Sequence, residues 1–307
     1  MIHTARTVGH RQMSYPAQPG TWIRDDLTRP PTVAGFANAM YGGFYNQAVD
    51  RHLVADIAAA WPPIRDHMLA GRAAQGRIVR YLLDAGVEQF LDIGAGIARH
   101  GATHDIIAAA ISDENLQLRQ RPFRVVYVDI DPITTTVNRS LLEQFPWAAA
   151  VGGDLQHPAT ILNNDVVNDL LDFGRPVAVL LLGVLHHVPH RPGRVVQRLA
   201  EALSYGSYLA ISHLTTDPNP AGAAAQRHAA DLLAATPTPL YLRHPAHVAA
   251  LLRDPRLPAF TLAEPGYAPA DQWRPDPDDE PPFPAPHLLT AVAELTPPAR
   301  HSPGASR

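Results

Sequence analysis

Four acidic residues and three glycine turns are spaced so that a nucleoside-binding crevice can be read from the chain. Phe90, Leu91 and Ile93 form a short apolar run interrupted by Asp92 and closed by Gly94-Ala95-Gly96. A second run, Arg124–Asp129, ends in Asp129-Ile130-Asp131, and a third, Ala148–Val151, ends in Gly153-Asp154-Leu155. A fourth, Pro176–Leu182, runs into Gly183 and the pair His186-His187. Apolar runs of this length suit buried parallel strands, and in open α/β sheets ligands bind where such strands end. Small residues let a ligand approach the backbone. A carboxylate ending the second strand can accept hydrogen bonds from both hydroxyls of a ribose, and Asp154 can accept from an exocyclic amine such as that of adenine.

The spacing disfavours a dinucleotide. The third glycine of G-x-G-x-x-G is replaced by Arg99, and Asp129 lies 33 positions after Gly96, against about 20 in the dinucleotide pattern. The chain has 0 cysteines and no lysine, which removes thiol chemistry, iron–sulfur clusters, a pyridoxal-phosphate Schiff base and a Walker-type phosphate loop. An acid-lined crevice without lysine suits a nucleoside that carries a positive charge and no phosphate. S-adenosylmethionine (SAM) is such a molecule. A metal site at His186, His187 and His190 is disfavoured, because adjacent histidines diverge and no carboxylate companion stands nearby. Asp129-Ile130-Asp131 has the D-x-D form of metal-dependent sugar transferases, but Asp131 before Pro132 reads better as a helix cap.

The elements that must hold these residues alternate strand with helix, which predicts a doubly wound, mostly parallel α/β sheet of the Rossmann-like type. Beyond the four strands, Tyr208–Ser212 reads as a fifth and Phe260–Ala263 as a late strand. Pro158 opens a helix with Ile161, Leu162, Val166 and Leu170 along one face. The organisation expected is a flexible N-terminal arm over 1–30, a helical cap over 31–84, the ligand-binding domain over 85–275 and a proline-rich mobile tail over 276–307. Trp61-Pro62-Pro63 interrupts the cap helices, and Tyr41–Asp50, with its paired glycines and aromatics, reads as a site loop.

At 307 residues and 46% apolar content the chain can build a substantial core. With a net charge of −4, no basic block, no membrane-length apolar run and no signal-peptide core, it reads as a cytoplasmic protein with no nucleic-acid or membrane partner. Oligomeric state leaves no mark in the sequence.

Taken together, LDIGAG, VVYVDIDP, GGDL and PVAVLLLGVLHHV resemble the successive motifs of class I SAM-dependent methyltransferases. More closely, the chain resembles an actinobacterial S-adenosyl methyltransferase family, formerly a domain of unknown function. The likeness is carried by YGG-x-x-N-x-x-x-D (Tyr41 to Asp50), Phe90-Leu91-Asp92-Ile93-Gly94, Thr103-His104 and Val126-Tyr127-Val128-Asp129. It continues through Leu185-His186, Tyr208-Leu209, Ser212-His213, Glu264-Pro265-Gly266 and Trp273-Arg274-Pro275-Asp276, and it spans about Thr32 to Asp276.

The resemblance implies SAM as cofactor, with Asp92, Gly94, Ala95 and Gly96 beneath it and Asp129 on the ribose. Ile130 and Leu155 would flank the adenine, Asp154 would meet its amino group, and Gly183 to His186 would border the methionine part. Several positions depart from the family pattern. Phe44 and Tyr45 replace lysine and aspartate, Ile97-Ala98-Arg99 replaces L-P-T, Ala102 replaces asparagine, and Leu185-His186-His187-Val188-Pro189-His190 replaces L-H-F-V-P-D. The cofactor frame is kept while residues facing the second substrate change.

The reaction expected is methyl transfer to a small-molecule acceptor in specialised metabolism. His186 and Tyr45 are the catalytic candidates, and Tyr41, Phe44, Asn46 and His187 line the acceptor side. Imidazole suits a general base, and aromatics can cover a sulfonium. Two other readings remain. An aromatic lid at Phe44-Tyr45 would favour cyclisation of SAM's own aminobutyrate chain with release of methylthioadenosine, without pyridoxal phosphate. A non-catalytic module would hold SAM or S-adenosylhomocysteine unchanged.

Overall fold

The structure, a computed structural model, describes residues 29–99, 101–112, 116–234, 236–254, 256–276 and 283–297. The arm expected over 1–30 lies outside the described residues save for its last two. Strands β1 (Gln89–Ile93), β2 (Arg124–Asp129), β3 (Ala148–Gly152), β4 (Ala178–Leu182) and β5 (Tyr208–Leu214) pair in parallel in the order β3-β2-β1-β4-β5. The strand order reverses at β1, so the crevice between the carboxyl ends of β1, β2 and β4 is the switch point where doubly wound sheets take their ligands. Beyond β5 the sheet continues through an antiparallel strand, then β6 (Phe260–Leu262), while β7 (Ala268–Pro269) makes a short side pairing.

That antiparallel strand, β8 (Leu288–Leu295), corrects the mobile tail expected over 276–307. Its register on β5 runs from Leu288↔Leu214 to Glu294↔Tyr208, and Leu288, Thr290, Ala291, Val292, Ala293 and Leu295 are buried. The proline- and acid-rich approach is composition that reads as disorder, but the eight residues after it offer an apolar strand that covers both β5 and β6. Residues 277–282 and 298–307 of that tail lie outside the described residues.

Side chains alternate across the sheet. Leu91 and Ile93 of β1 pack on one face with Val126, Val128, Val179 and Leu181, under helices α7 (Pro158–Leu162), α8 (Asp165–Leu170) and α9 (Pro192–Ala200). Phe90 packs on the other with Val125, Tyr127 and Leu180, under α3 (Ile64–Asp84), α4 (Thr103–Ser112) and α6 (Pro132–Leu142); a short α5 (Leu116–Arg119) follows α4. The single helix expected after Pro158 is broken. Asn164 accepts the backbone N–H of Val166 and restarts the helix, so Val167 is fully buried while Val166 is 41% exposed.

The cap comprises α1 (Val33–Met40), α2 (Ala48–Ala60) and the first half of α3, joined by α10 (Pro220–Leu233) from far along the chain. Phe36, Leu53, Ile57, Trp61, Leu233 and Leu288 share its core. Its boundary is not at residue 84, because the second half of α3 (Ile78, Val79, Leu82, Leu83) belongs to the core against the sheet. One continuous 21-residue helix therefore ties cap to sheet. A last helix, α11 (Pro245–Ala249), packs beside α9's end of the sheet.

Candidate active site

Three strand-end turns are fastened to neighbouring strands by backbone hydrogen bonds. Gly94 N–H donates to the Val128 carbonyl at 2.8 Å, Gly153 N–H to Asp129 at 3.0 Å and Gly183 N–H to Ser212 at 3.3 Å. Gly94 and Gly183 both have φ +73°, a backbone region that disfavours side chains. At Gly94 the Cβ position would also fall 2.2 Å from Val184. Gly96, at φ +61°, has nothing within 4 Å of its Cβ position and faces open space.

The Asp129 side chain joins the β1 turn to the segment that follows β2. Its Oδ2 accepts Gly96 N–H at 2.9 Å and its Oδ1 accepts Asp131 N–H at 3.0 Å. Burial pushes its pKa up to about 6, against the opposing pull of those backbone donors. Asn138, on the buried face of α6, holds the same turn from above: its amide donates to the Gly96 carbonyl at 2.7 Å and accepts Ala98 N–H at 2.8 Å. Asp131 caps α6 through Ile133 N–H, as its place before Pro132 predicts.

The turns border a partly open cavity of about 400 Å³ between sheet and cap, within the range of small-molecule sites. Gly94, Ala95, Gly96, Asp129, Ile130, Asp154, Leu155, Gly183, Tyr41, His186 and His187 all line it. Ile130, 51% exposed, and buried Leu155 give its outer end two apolar faces. Asp154 accepts Gln156 N–H and pairs with His157 at 2.9 Å.

Four expected site residues lie elsewhere. Asp92 is buried beneath the glycine turn, where Thr103 donates to it at 2.8 Å and Gln75 at 3.4 Å. Its position in β1 puts it on Phe90's face, where it does not line the cavity itself but holds Gln75, which does. Burial raises its pKa to about 6. Phe44 is 65% exposed. Tyr45 packs with Ile97, Val137 and Leu141, and Arg99 lies 5.5 Å over its ring. Asn46 donates to Asn38 and to the Gly43 carbonyl. The YGG-x-x-N-x-x-x-D segment is therefore packing grammar. A Cβ on Gly43 would lie 2.4 Å from Asn38, and one on Gly35 would lie 2.3 Å from Asp50. Asp50 in turn holds the backbone of Thr32 and Gln47. Only Tyr41 and Gly43 of that segment reach the cavity.

At the inner end, His186, His187 and His213 form a cluster with ring centroids 4.5 and 5.6 Å from His186. His213 Nε2 accepts from Arg243 at 2.8 Å, which commits that ring nitrogen to the guanidinium. Burial drives His186 well below its usual pKa, lowers His187 and takes His213 down to about 3. His186 Nδ1 accepts Leu214 N–H at 3.4 Å, so in the neutral ring the proton sits on Nε2. His187 Nδ1 lies 3.1 Å from the Pro239 carbonyl, so its proton sits on Nδ1 and Nε2 keeps the lone pair.

A family model described as S-adenosyl methyltransferase matches residues 23–296. The chain belongs to the S-adenosyl methyltransferase family. It is a SAM-dependent methyltransferase, with SAM as its cofactor. Two crystal structures are similar along nearly their whole length. That of a proposed methyltransferase from Thermobifida fusca YX is 32% identical, with TM-score 0.75, over 87% of this chain and 96% of that one. That of a DUF574 family protein from Streptomyces avermitilis MA-4680 is 32% identical, with TM-score 0.74, over 87% of this chain and 98% of that one. No curated protein matches the chain.

The methyltransferase's cavity suits SAM on its own chemistry. It has a carboxylate at the end of β2, apolar faces beside it, and a glycine turn whose Gly96 leaves room for a ligand. Two lining residues of α3, Arg72 and Gln75, escape a reading of strand ends. Arg72 donates to Gln75 and to the Arg99 carbonyl, and its guanidinium sits 4.8 Å over Tyr41. Their sequence signal is polarity on the inward side of α3, which His67 and Arg77 share; Asn138 on α6 gives the same signal. Among the described residues no helix is long and apolar enough to cross a membrane.

Proposed function

We propose that this methyltransferase acts on a small-molecule acceptor that binds between cap and sheet, with Asp129 on the cofactor's ribose and His187 as general base. Bound SAM supplies an electrophilic methyl group on a sulfonium whose sulfur keeps the bonding pair when the methyl leaves. The chain's own part is alignment and exclusion of water. Gly94, Ala95 and Gly96 would underlie the cofactor, Ile130 and Leu155 would flank its adenine, and Asp154 would receive the adenine amine. Arg72 is the cation placed for its carboxylate, and Gly183 borders its methionine end.

The observation that carries this reading is the Asp129–Gly96 hydrogen bond at the lip of a cavity that ends on His187. Between the two histidines the tautomers favour His187. With its proton on Nδ1, His187 keeps its lone pair on Nε2, whereas His186 is set to donate from Nε2. Tyr45, the other catalytic candidate, lies in a separate apolar cluster. The position of Phe44 and Tyr45 outside the cavity supports methyl transfer over cyclisation of SAM beneath an aromatic lid. A cavity of about 400 Å³ favours a small acceptor over nucleic acid. Changed acceptor-side residues against a kept cofactor frame suit specialised metabolism.

Incubating the enzyme with SAM, with and without candidate acceptors, and resolving the products by mass spectrometry tests the reaction. S-adenosylhomocysteine should appear only with an acceptor. Methylthioadenosine formed from SAM alone would overturn the proposal.

A further inference from the structure

Beyond the cofactor half, the cavity changes character. Its far wall is built from Phe36 of α1, Ile64 and Met68 of α3, Leu233 of α10, Leu240, and Leu288 of β8. Among the described residues, the carboxylates lining the cavity are Asp129, Asp131 and Asp154, all at the ends of β2 and β3, and its arginines, Arg72 and Arg99, sit beside the glycine turn. The polar groups of the far half are neutral. Among the described residues they include His67, His186, His187, Ser212, Thr238 and Asn38, with Thr32 and Tyr41 of the cap.

Each histidine there is already committed. His67 Nδ1 is bonded to the Pro63 carbonyl at 2.8 Å, and its Nε2 accepts His287 N–H at 3.4 Å. His186 Nδ1 accepts Leu214 N–H. His187 donates from Nδ1 to Pro239 and keeps Nε2 as an acceptor. Burial lowers the pKa of all three.

We infer that this half takes an uncharged, largely apolar acceptor that presents one hydroxyl of phenol or enol type to His187 Nε2. The inference rests on the cofactor occupying the strand-end half. An aliphatic amine is protonated near neutrality and would bring a second cation beside the sulfonium, against a wall with no carboxylate among the described residues. A carboxylic acid would bury an anion among neutral imidazoles. A neutral hydroxyl donates one hydrogen bond to His187 and lays its apolar body on the leucine and phenylalanine wall. Phenols and enols lose a proton far more readily than alkanols, which matches a base weakened by burial. On reaction the O–H bond is replaced by an O–CH3 bond, and the proton ends on His187 Nε2.

The test is calorimetric titration of the enzyme saturated with S-adenosylhomocysteine at pH 7.5. The probes are 2-naphthol, 2-naphthoate and 2-naphthylmethylamine, three molecules of similar shape and different charge. The expected result is 2-naphthol binding at least about tenfold more tightly than either charged probe. His187→Leu should weaken 2-naphthol about fivefold or more and leave naphthalene binding unchanged. Equal or tighter binding of a charged probe, no 2-naphthol binding at millimolar concentration, or indifference of 2-naphthol to His187→Leu would each overturn the inference. Failure of S-adenosylhomocysteine itself to bind in the first titration would instead overturn the cofactor assignment on which it rests.

Discussion

Asp129 Oδ2 and the backbone N–H of Gly96 are joined at 2.9 Å, so the acid that ends β2 is locked to the turn that ends β1. Two motifs 33 residues apart thereby become one surface, and the carboxylate is held in place before any ligand arrives. Such preorganisation reduces the ordering cost of binding.

That carboxylate has a pKa near 6 because it is buried, and hydroxyl donors favour its ionised form. As pH falls through 6, a proton competes with the ribose, and SAM affinity should drop by up to about tenfold per pH unit. Calorimetry between pH 4.5 and 6.5 should show this slope in the wild type and a markedly flatter one in Asp129→Asn.

Asp92 titrates in the same range, also through burial, but does not itself line the cavity. Its folded pKa, raised by burial to about 6 from 3.8, means that the folded state binds more protons than the unfolded state between those values. Stability from this group is therefore present below about 3.8 and lost as pH rises through 6, by about 3 kcal/mol at the upper limit. Asp92→Asn keeps the shape and removes the titration. The difference in melting temperature between variant and wild type should shift in the variant's favour from pH 5 to pH 8. A constant difference would refute the assignment.

The glycines of the turn should separate packing from binding. Gly94→Ala combines a positive φ with a Cβ 2.2 Å from Val184 and should lower the melting temperature by at least about 5 °C. Gly96→Ala meets open space. It should cost roughly 1 kcal/mol in stability but weaken SAM binding disproportionately. Thermal melts paired with SAM titrations would distinguish the two.

Phe44 and Tyr45 make the complementary case. Phe44→Ala removes an exposed side chain, and Tyr45→Phe removes a hydroxyl from a residue packed outside the cavity. Neither change should alter SAM affinity or turnover by more than about twofold. A tenfold loss in either would restore them to the active site.

Much of the site was legible because β1 to β4 each end an apolar run in Asp or Gly, and that punctuation marks where ligands meet a doubly wound sheet. The errors arise where one pattern serves two purposes. Gly43 resembles a ligand-approach glycine, yet its missing Cβ makes room for Asn38. Asp92 resembles its neighbours at the strand ends, yet strand parity turns it toward Gln75 and Thr103, which explains why Thr103-His104 accompanies it. His104 and Tyr127 complete that buried layer through a 2.8 Å hydrogen bond. β8 was hidden by the proline-rich segment before it, and Arg72 and Gln75 by their distance from any strand end. Sequence also ranked His186 above His187, because only the Leu214 N–H and Pro239 carbonyl fix which ring nitrogen carries the proton.

The central claim is that the strand-end half of the cavity holds SAM through Asp129. Its most direct test is SAM binding, measured by calorimetry, to the wild type and to Asp129→Ala, with both proteins shown folded by thermal melting. Loss of two hydrogen bonds to a charged acceptor predicts affinity weakened by at least about 100-fold. An Asp129→Ala protein that is folded and binds SAM as tightly as the wild type would contradict the account.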